Sequence, residues 1–291
     1  MVEVAYVNGK FVEPGEAVVS IEDRGFLFAD GVYEVIASYG AKPFALERHL
    51  RRLQRSLNEL QIRLDVEGNG VGEVVDAAIR RSSSADSLIY IQITRGVAPR
   101  RHEFPDASTQ PTVVVTTSPL SPLPDEWVLD GVKCVTVPNQ RWGRCDIKTV
   151  GLLPNVLARQ QAASCGAFEA LLVDADHRVV EGASTSSFCV VEGLVRTTPL
   201  APSILPGITR ELILECAGEL DVDISEEDTY LDDYLNADEV FVAGTSIDTL
   251  GVVQLDDHVI GSGKPGPITS RLGEALLQMR GAAVETGPPR S

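Results

Sequence analysis

The order of apolar and polar positions along the chain predicts a mixture of strands and helices. Val4 to Val7 and Phe11-Val12 flank Asn8-Gly9, a pair suited to a two-residue hairpin turn whose central residues both need positive φ. Residues 31–39, GVYEVIASY, read as a strand, and 42–46 can return beside it. Leu46, Leu50, Leu53, Leu57 and Leu60 recur every three or four residues, which predicts an amphipathic helix over 46–60. A second helix is expected over 72–81, followed by strands over 88–94 and 112–117.

Residues 118–126, SPLSPLPDE, place three prolines within six positions. Proline removes a backbone donor and restricts the residue before it, so this stretch is the expected linker between a smaller N-terminal α/β domain, 1–117, and a larger C-terminal domain, 127–291. The second half alternates strand and helix patterns. Strands are expected over 133–137, 170–173, 187–191, 194–197 and 239–243, helices over 155–164, 209–220 and 268–280, and a frayed tail over 281–291. No internal repeat or low-complexity segment interrupts them.

Composition narrows the function classes. With 291 residues, 44% hydrophobic and 23% charged, the chain suits two packed domains. Its net charge of −17 repels nucleic acid and anionic membranes, so neither is an expected partner. The five cysteines form no CxxC pair and are odd in number, which suggests reduced thiols and a cytoplasmic location. No apolar run approaches a membrane helix, and the start, MVEVAYVNGK, lacks a signal-peptide layout. No metal-ligand spacing stands out.

Against this acidic background, a few features carry chemistry. Leu205-Pro206-Gly207 precedes a helix expected to start near Ile208-Thr209, where free backbone N–H groups and the helix dipole favour a phosphate. Gly244-Thr245-Ser246 ends a strand and offers a second phosphate cradle. Arg48, Arg52 and Arg55 share a helix face, ordinarily a solvated one. Arg95, Arg100, Arg101 and His102 crowd a Gly/Pro-containing loop, and arginine binds carboxylates through paired hydrogen bonds. Lys148 sits in a mostly apolar stretch, where burial disfavours its charged form, as a Schiff-base lysine requires. Glu181 follows a strand-like run. Singly, each has an ordinary explanation as a turn, a helix start or a surface side chain. Together they supply a lysine for an aldehyde, an acid for a ring nitrogen and two phosphate cradles, which are the protein's tasks in pyridoxal-phosphate chemistry.

Longer stretches carry a resemblance to a known family. They are Glu22-Asp23-Arg24-Gly25-Phe26, Asp30 to Val35, Arg52-Leu53, Thr94-Arg95-Gly96 through Arg100 and His102, Arg144 to Lys148, Glu181-Gly182, Gly207 to Arg210, and Gly263 to Pro267. In order and spacing the chain resembles the class IV aminotransferases, the two-domain α/β pyridoxal-phosphate enzymes of fold type IV. Among these it is most similar to bacterial D-amino-acid transaminases. The resemblance implies that Lys148 holds pyridoxal 5'-phosphate as a Schiff base and acts as acid and base, and that Glu181 pairs with the pyridine nitrogen. It further implies that Arg52, Ile208, Thr209, Thr245 and Ser246 hold the phosphate, that Leu205 packs on the ring, and that Tyr33, Arg100 and His102 grip the substrate carboxylate. Arg141 matches an arginine of structural support. The expected substrates are a D-amino acid and a 2-keto acid, and the expected assembly is a homodimer.

Four positions depart from the family pattern. Ala183 to Ser187 replaces a frequent Ser-Ser-Asn run, Gly151 a frequent asparagine, Ser246 a threonine, and Gly251 a proline. Within the fold, branched-chain L-amino-acid transaminases, (R)-amine transaminases and aminodeoxychorismate lyases are the rival activities. A phosphometabolite-binding protein that forms no Schiff base is the non-enzyme rival.

Overall fold

The computed structural model describes residues 1–285. Its contacts divide the chain into two compact units, one containing Met1–Ser121 and Ile147–Gly151, the other Pro122–Asp146 and Leu152–Ala282.

The first unit opens with β1 (Val4–Val7) and β2 (Lys10–Val12). The turn between them has φ of 45° at Asn8 and 95° at Gly9, as the Asn-Gly pair predicts. There follow α1 (Arg24–Phe28), β3 (Gly31–Tyr39), β4 (Lys42–Pro43), α2 (Leu46–Glu59), α3 (Val71–Arg81), β5 (Ser87–Thr94) and β6 (Thr112–Pro119). The strands form an antiparallel sheet in the order β2-β1-β6-β5-β3-β4. Leu53 and Leu57 of α2 and Val75 and Ala78 of α3 are fully buried with Ile36, Ile89, Ile91 and Val115 of the sheet. Ile147 joins the same core.

That burial explains why Ile147–Gly151 leaves the unit its sequence neighbours occupy, a departure from a C-terminal domain running unbroken over 127–291. β4 pairs with β3 only at Ser38 and Tyr39, so the start of β3 has an open edge. The segment fills it: Tyr33 N donates to Lys148 O at 3.0 Å, Val150 N donates to Gly31 O at 3.1 Å, and Val32 bridges Thr149. Unpaired backbone groups in a buried edge are costly, which gives the crossing its driving force.

The second unit contains α4 (Asp125–Asp130), β7 (Val132–Pro138), α5 (Leu153–Ser164), β8 (Glu169–Val173), β9 (Val179–Gly182), β10 (Ser186–Val191), β11 (Leu194–Thr197), α6 (Ile208–Glu219), β12 (Ile224–Glu226), α7 (Leu231–Leu235), β13 (Glu239–Gly244), β14 (Asp248–Leu255), β15 (His258–Val259) and α8 (Pro267–Glu285). Its mixed sheet runs β12-β11-β10-β13-β14-β7-β8-β9, with β15 beside β14. Alternate residues of β13 enter different cores: Val240 and Val242 pack with Cys134 and Tyr234, whereas Phe241 and Ala243 pack with Ile213 and Leu272. Period-two alternation with both faces buried makes the strand a continuous apolar run.

Several elements differ from the sequence pattern. β6 runs to Pro119 and α4 begins at Asp125, so the proline-rich stretch is not wholly irregular. β1 pairs β6 only to Thr117, which leaves Pro119 no neighbour requiring its missing N–H on that side. Pro124 is the N-cap of α4, a place where a missing donor costs nothing. The final helix continues to Glu285 rather than fraying from 281, and 286–291 lie outside the described residues. β14, eight residues long, was not expected; Gly251 interrupts its pattern because a Cβ there would lie 2.8 Å from Pro265 Cβ.

Candidate active site

In the first unit, Lys148 lies with its Nζ 4.3 Å from the centroid of the Tyr33 ring. Its backbone N donates to Ser56 Oγ at 3.2 Å. Tyr33 in turn stacks on Tyr90 with centroids 5.7 Å apart. β3 therefore sets Lys148 twice, through the backbone bond to Tyr33 N and through the Tyr33 ring, and α2 sets it a third time through Ser56.

One residue along β3, Glu34 points to the opposite face and is fully buried. Its carboxylate accepts from Arg52 Nε at 2.7 Å, from Arg52 Nη2 at 2.8 Å and faces His49 Nδ1 at 2.8 Å. Burial drives the Glu34 carboxyl upward, but the Arg52 charge and hydrogen bonds overcome it and hold the group at about 2. An ionised carboxylate only accepts, so His49 Nδ1 carries the proton. Burial lowers the His49 imidazole below its ordinary value despite Glu34. Arg52 is thus the buried member of its helix face, while Arg48 and Arg55 are half-buried.

The basic loop resolves into two kinds of arginine. Arg95 is buried and pairs with Asp30 through Nε and Nη2, at 2.8 and 2.9 Å, while also donating to the Leu60 and Gln61 carbonyls. Arg100 and His102 are exposed and meet on Phe28: the Arg100 guanidinium lies 5.2 Å from the Phe28 centroid and the His102 ring 5.4 Å.

In the second unit, Glu181 lies in β9, one residue before its end at Gly182, with its side chain 8% exposed, and forms an ion pair with Arg141, itself 7% exposed. Arg141 is held by Asn139 Oδ1 at 3.0 Å from Nε and by the Ser203 carbonyl at 3.2 Å from Nη2. Leu205 N donates to Glu181 Oε1 at 3.3 Å. One short segment therefore runs from Arg141 at Ser203, past Glu181 at Leu205, to Gly207, where α6 begins.

That helix start has no side-chain cap, which leaves its first N–H groups available to a ligand. A Cβ on Gly207 would lie 2.7 Å from Ser186 Oγ, so the helix start and the first residue of β10 are in close approach. Ser186 also pairs in register with Ala243, which immediately precedes Gly244-Thr245-Ser246. The two phosphate cradles read from the sequence thus adjoin each other across Ser186. Ile208 and Thr209 are buried and Thr245 is half-buried, whereas Ser246 is exposed. Ser186 itself escaped the sequence reading; the hydroxyl-rich run after Glu181-Gly182 was the available signal.

Behind this surface, Glu169 accepts from Ser184 N, Ser184 Oγ and Thr185 Oγ1 at 3.1, 2.6 and 3.1 Å. The Ala183-Ser184-Thr185 departure therefore has a buried carboxylate built to hold it. Gly151 sits close against Thr149: a Cβ there would lie 3.1 Å from Thr149 Oγ1, tighter than ordinary van der Waals contact.

The residues suit pyridoxal phosphate as a group. A buried carboxylate fixed by an arginine matches a protonated ring nitrogen, the half-buried Leu205 beside it offers an apolar face, and the uncapped helix start with Thr209 and Thr245 matches a phosphate. Among the described residues, no group of three or more His, Cys, Asp or Glu could hold a metal ion, and no helix is long and apolar enough to cross a membrane.

Comparison with known proteins agrees. The profile of the amino-transferase class IV family matches residues 31–255. D-alanine aminotransferase of Staphylococcus aureus (strain N315) is 40% identical over 277 residues, covering 94% of this chain and 96% of that protein. The Bacillus licheniformis D-alanine aminotransferase is 39% identical over 273 residues, covering 92% and 94%. Among solved structures, the Escherichia coli branched-chain amino acid aminotransferase superposes with a TM-score of 0.87 at 26% identity, covering 96% of this chain and 94% of that one. The 4-amino-4-deoxychorismate lyase of Pseudomonas aeruginosa gives 0.82 at 27%, covering 94% and 98%. The chain belongs to the class IV amino-transferases, enzymes of fold type IV that depend on pyridoxal 5'-phosphate.

Proposed function

We propose that this enzyme transfers the amino group of a D-amino acid, such as D-alanine or D-glutamate, to a 2-keto acid. The observation that carries the reading is the pairing of Arg100 and His102 on Phe28, a cationic and hydrogen-bonding pair suited to an α-carboxylate. The D-alanine aminotransferases similar to it over most of its length support the same substrate class.

Lys148 is the proposed Schiff-base lysine. With the cofactor bound, Glu181 would meet the pyridine nitrogen, Leu205 would pack on the ring, and Arg52, Ile208, Thr209, Thr245 and Ser246 would hold the phosphate. When bound, the cofactor supplies an aldehyde to take up the amino group and a ring to accept electrons. Lys148 Nζ would take the proton from the substrate Cα and pass it to the former aldehyde carbon of the cofactor in the half-reaction that releases a keto acid, and would return a proton to Cα in the reverse half-reaction with the second keto acid. The face of the Tyr33 ring attracts the protonated amine and keeps it in place between the two transfers. Glu181, held in place by its ion pair with Arg141, would stabilise positive charge at the ring nitrogen. Tyr33, Arg100 and His102 fix the side on which the substrate carboxylate lies, and so decide which hydrogen of Cα meets Lys148.

A homodimer in the cytoplasm completes the reading, supported by the family resemblance and by the cysteines, Cys134, Cys145, Cys165, Cys189 and Cys216, all free thiols. Keto-acid release measured across paired D- and L-amino acids tests it. D-alanine or D-glutamate should outrun its L-enantiomer; a preference for L-leucine or L-valine would move the enzyme to the branched-chain group, and elimination of pyruvate without amine exchange to the lyases.

A further inference from the structure

Arg24, at the start of α1, is buried, its side chain 4% exposed. Its guanidinium donates from Nε to Asp30 Oδ2 at 2.7 Å, from Nη1 to the Arg101 carbonyl at 2.6 Å and the Glu103 carbonyl at 3.3 Å, and from Nη2 to the His102 carbonyl at 3.3 Å. One side chain thus grips the backbone of three consecutive residues, and the middle one is His102. The same guanidinium lies 4.9 Å from the centroid of the Phe28 ring, the ring that Arg100 and His102 also approach.

The grip is tied to the strand that bears Tyr33. Asp30 immediately precedes β3, and its carboxylate is shared between Arg24 and Arg95. Burial raises the Asp30 carboxyl, and the two arginines reverse this and hold it below its ordinary value. Arg24 N donates to the Gly96 carbonyl at 2.9 Å, and Arg95 N to the Asp30 carbonyl at 3.0 Å. The loop is therefore anchored where it leaves β5, and Arg24 fixes its far side. A planar fork with five donors can span several acceptors at once, which a lysine ammonium on a single point cannot do.

We propose that Arg24 is a specificity-determining positioning residue: by holding the carbonyls of 101–103 it sets Arg100 and His102 for the substrate carboxylate. This rests on the carboxylate reading of that pair given above. Arg24 acts through the loop and not on the substrate, so its loss should weaken binding of anything bearing a carboxylate and spare carboxylate-free amines.

The test uses the holoenzyme and two probes that discharge the cofactor absorbance, aminooxyacetate with a carboxylate and hydroxylamine without one. Arg24→Ala should slow the aminooxyacetate reaction and raise KM for D-alanine about tenfold or more, with the hydroxylamine rate within about twofold. Arg24→Lys, which keeps the charge opposite Asp30 and is the milder change to the fold, should give a smaller effect of the same selectivity. Arg24→Ala combined with Arg100→Ala should lose less than the two single losses summed, because Arg24 acts partly through Arg100 and partly through His102. In the chain without cofactor, hydrogen exchange should accelerate across residues 97–104 in both Arg24 variants. Equal slowing of both probes, additive losses in the double variant, or unchanged exchange of the loop would overturn the proposal. If Arg100→Ala itself leaves D-alanine kinetics unchanged, the carboxylate reading falls and the role of Arg24 with it.

Discussion

Arg141 and Glu181 form an ion pair in which both side chains are more than nine-tenths buried. Breaking such a pair leaves one charge without compensation, at a cost of ~3–5 kcal/mol. Arg141→Ala should therefore lower the unfolding midpoint markedly as well as impair activity, because Glu181 loses the partner that fixes it. Glu181→Gln should be milder for the fold and should keep the cofactor, but should slow removal of the Cα proton. Thermal unfolding set beside the rate with Cα-deuterated D-alanine separates these effects; an unchanged rate in Glu181→Gln would remove Glu181 from the ring-nitrogen role.

The buried trio of Glu34, His49 and Arg52 sets the behaviour in acid. Glu34 titrates near 2 in the folded chain against an ordinary 4.5, so the unfolded chain binds its proton first. The stability it contributes is present above 4.5 and is lost as pH falls from there towards 2. His49 is held below its ordinary 6.5, so below that pH the unfolded chain again binds the extra proton, and stability falls as pH falls. Stability measured by denaturant should decline in both windows. His49→Gln should abolish the upper decline and leave the lower one; a profile unchanged by that substitution would exclude His49 as its source.

Gly207→Ala places a methyl 2.7 Å from Ser186 Oγ and 3.3 Å from Arg210 Cβ. Overpacking of this kind costs ~1–3 kcal/mol, and the strain falls where the two phosphate cradles adjoin. The expected result is about tenfold weaker retention of pyridoxal phosphate with little change in the secondary structure. A fluorescence titration of the cofactor-free variant checks it, and unaltered affinity would detach this helix start from phosphate binding.

What the sequence made legible was local. The Asn8-Gly9 turn, β3 and the leucine-spaced α2 rest on chemistry and periodicity within a few residues, and they lie where the pattern puts them. The helices α1, α4 and α7 are five or six residues long, too short to display a helical period. Gly251 concealed β14 because the reason for it, Pro265, comes fourteen positions later. The same distance in sequence hid the supporting groups of the site. Lys148 and Glu181 stand in recognisable runs, but Arg24 reaches carbonyls 77 to 79 residues away, and Ser186 meets Gly207 only once the second sheet has formed. Arg100 was legible as a cation but not as an exposed one, since exposure is a property of the folded loop.

The role of Lys148 is tested most directly by borohydride reduction of the holoenzyme followed by mass mapping of its peptides. The expected result is a phosphopyridoxyl group on Lys148 alone, absent from Lys148→Ala, together with a loss of turnover in that variant of at least ~10²–10⁴-fold. Label on Lys10, Lys42, Lys133 or Lys264, or near-normal turnover in Lys148→Ala, would contradict the assignment.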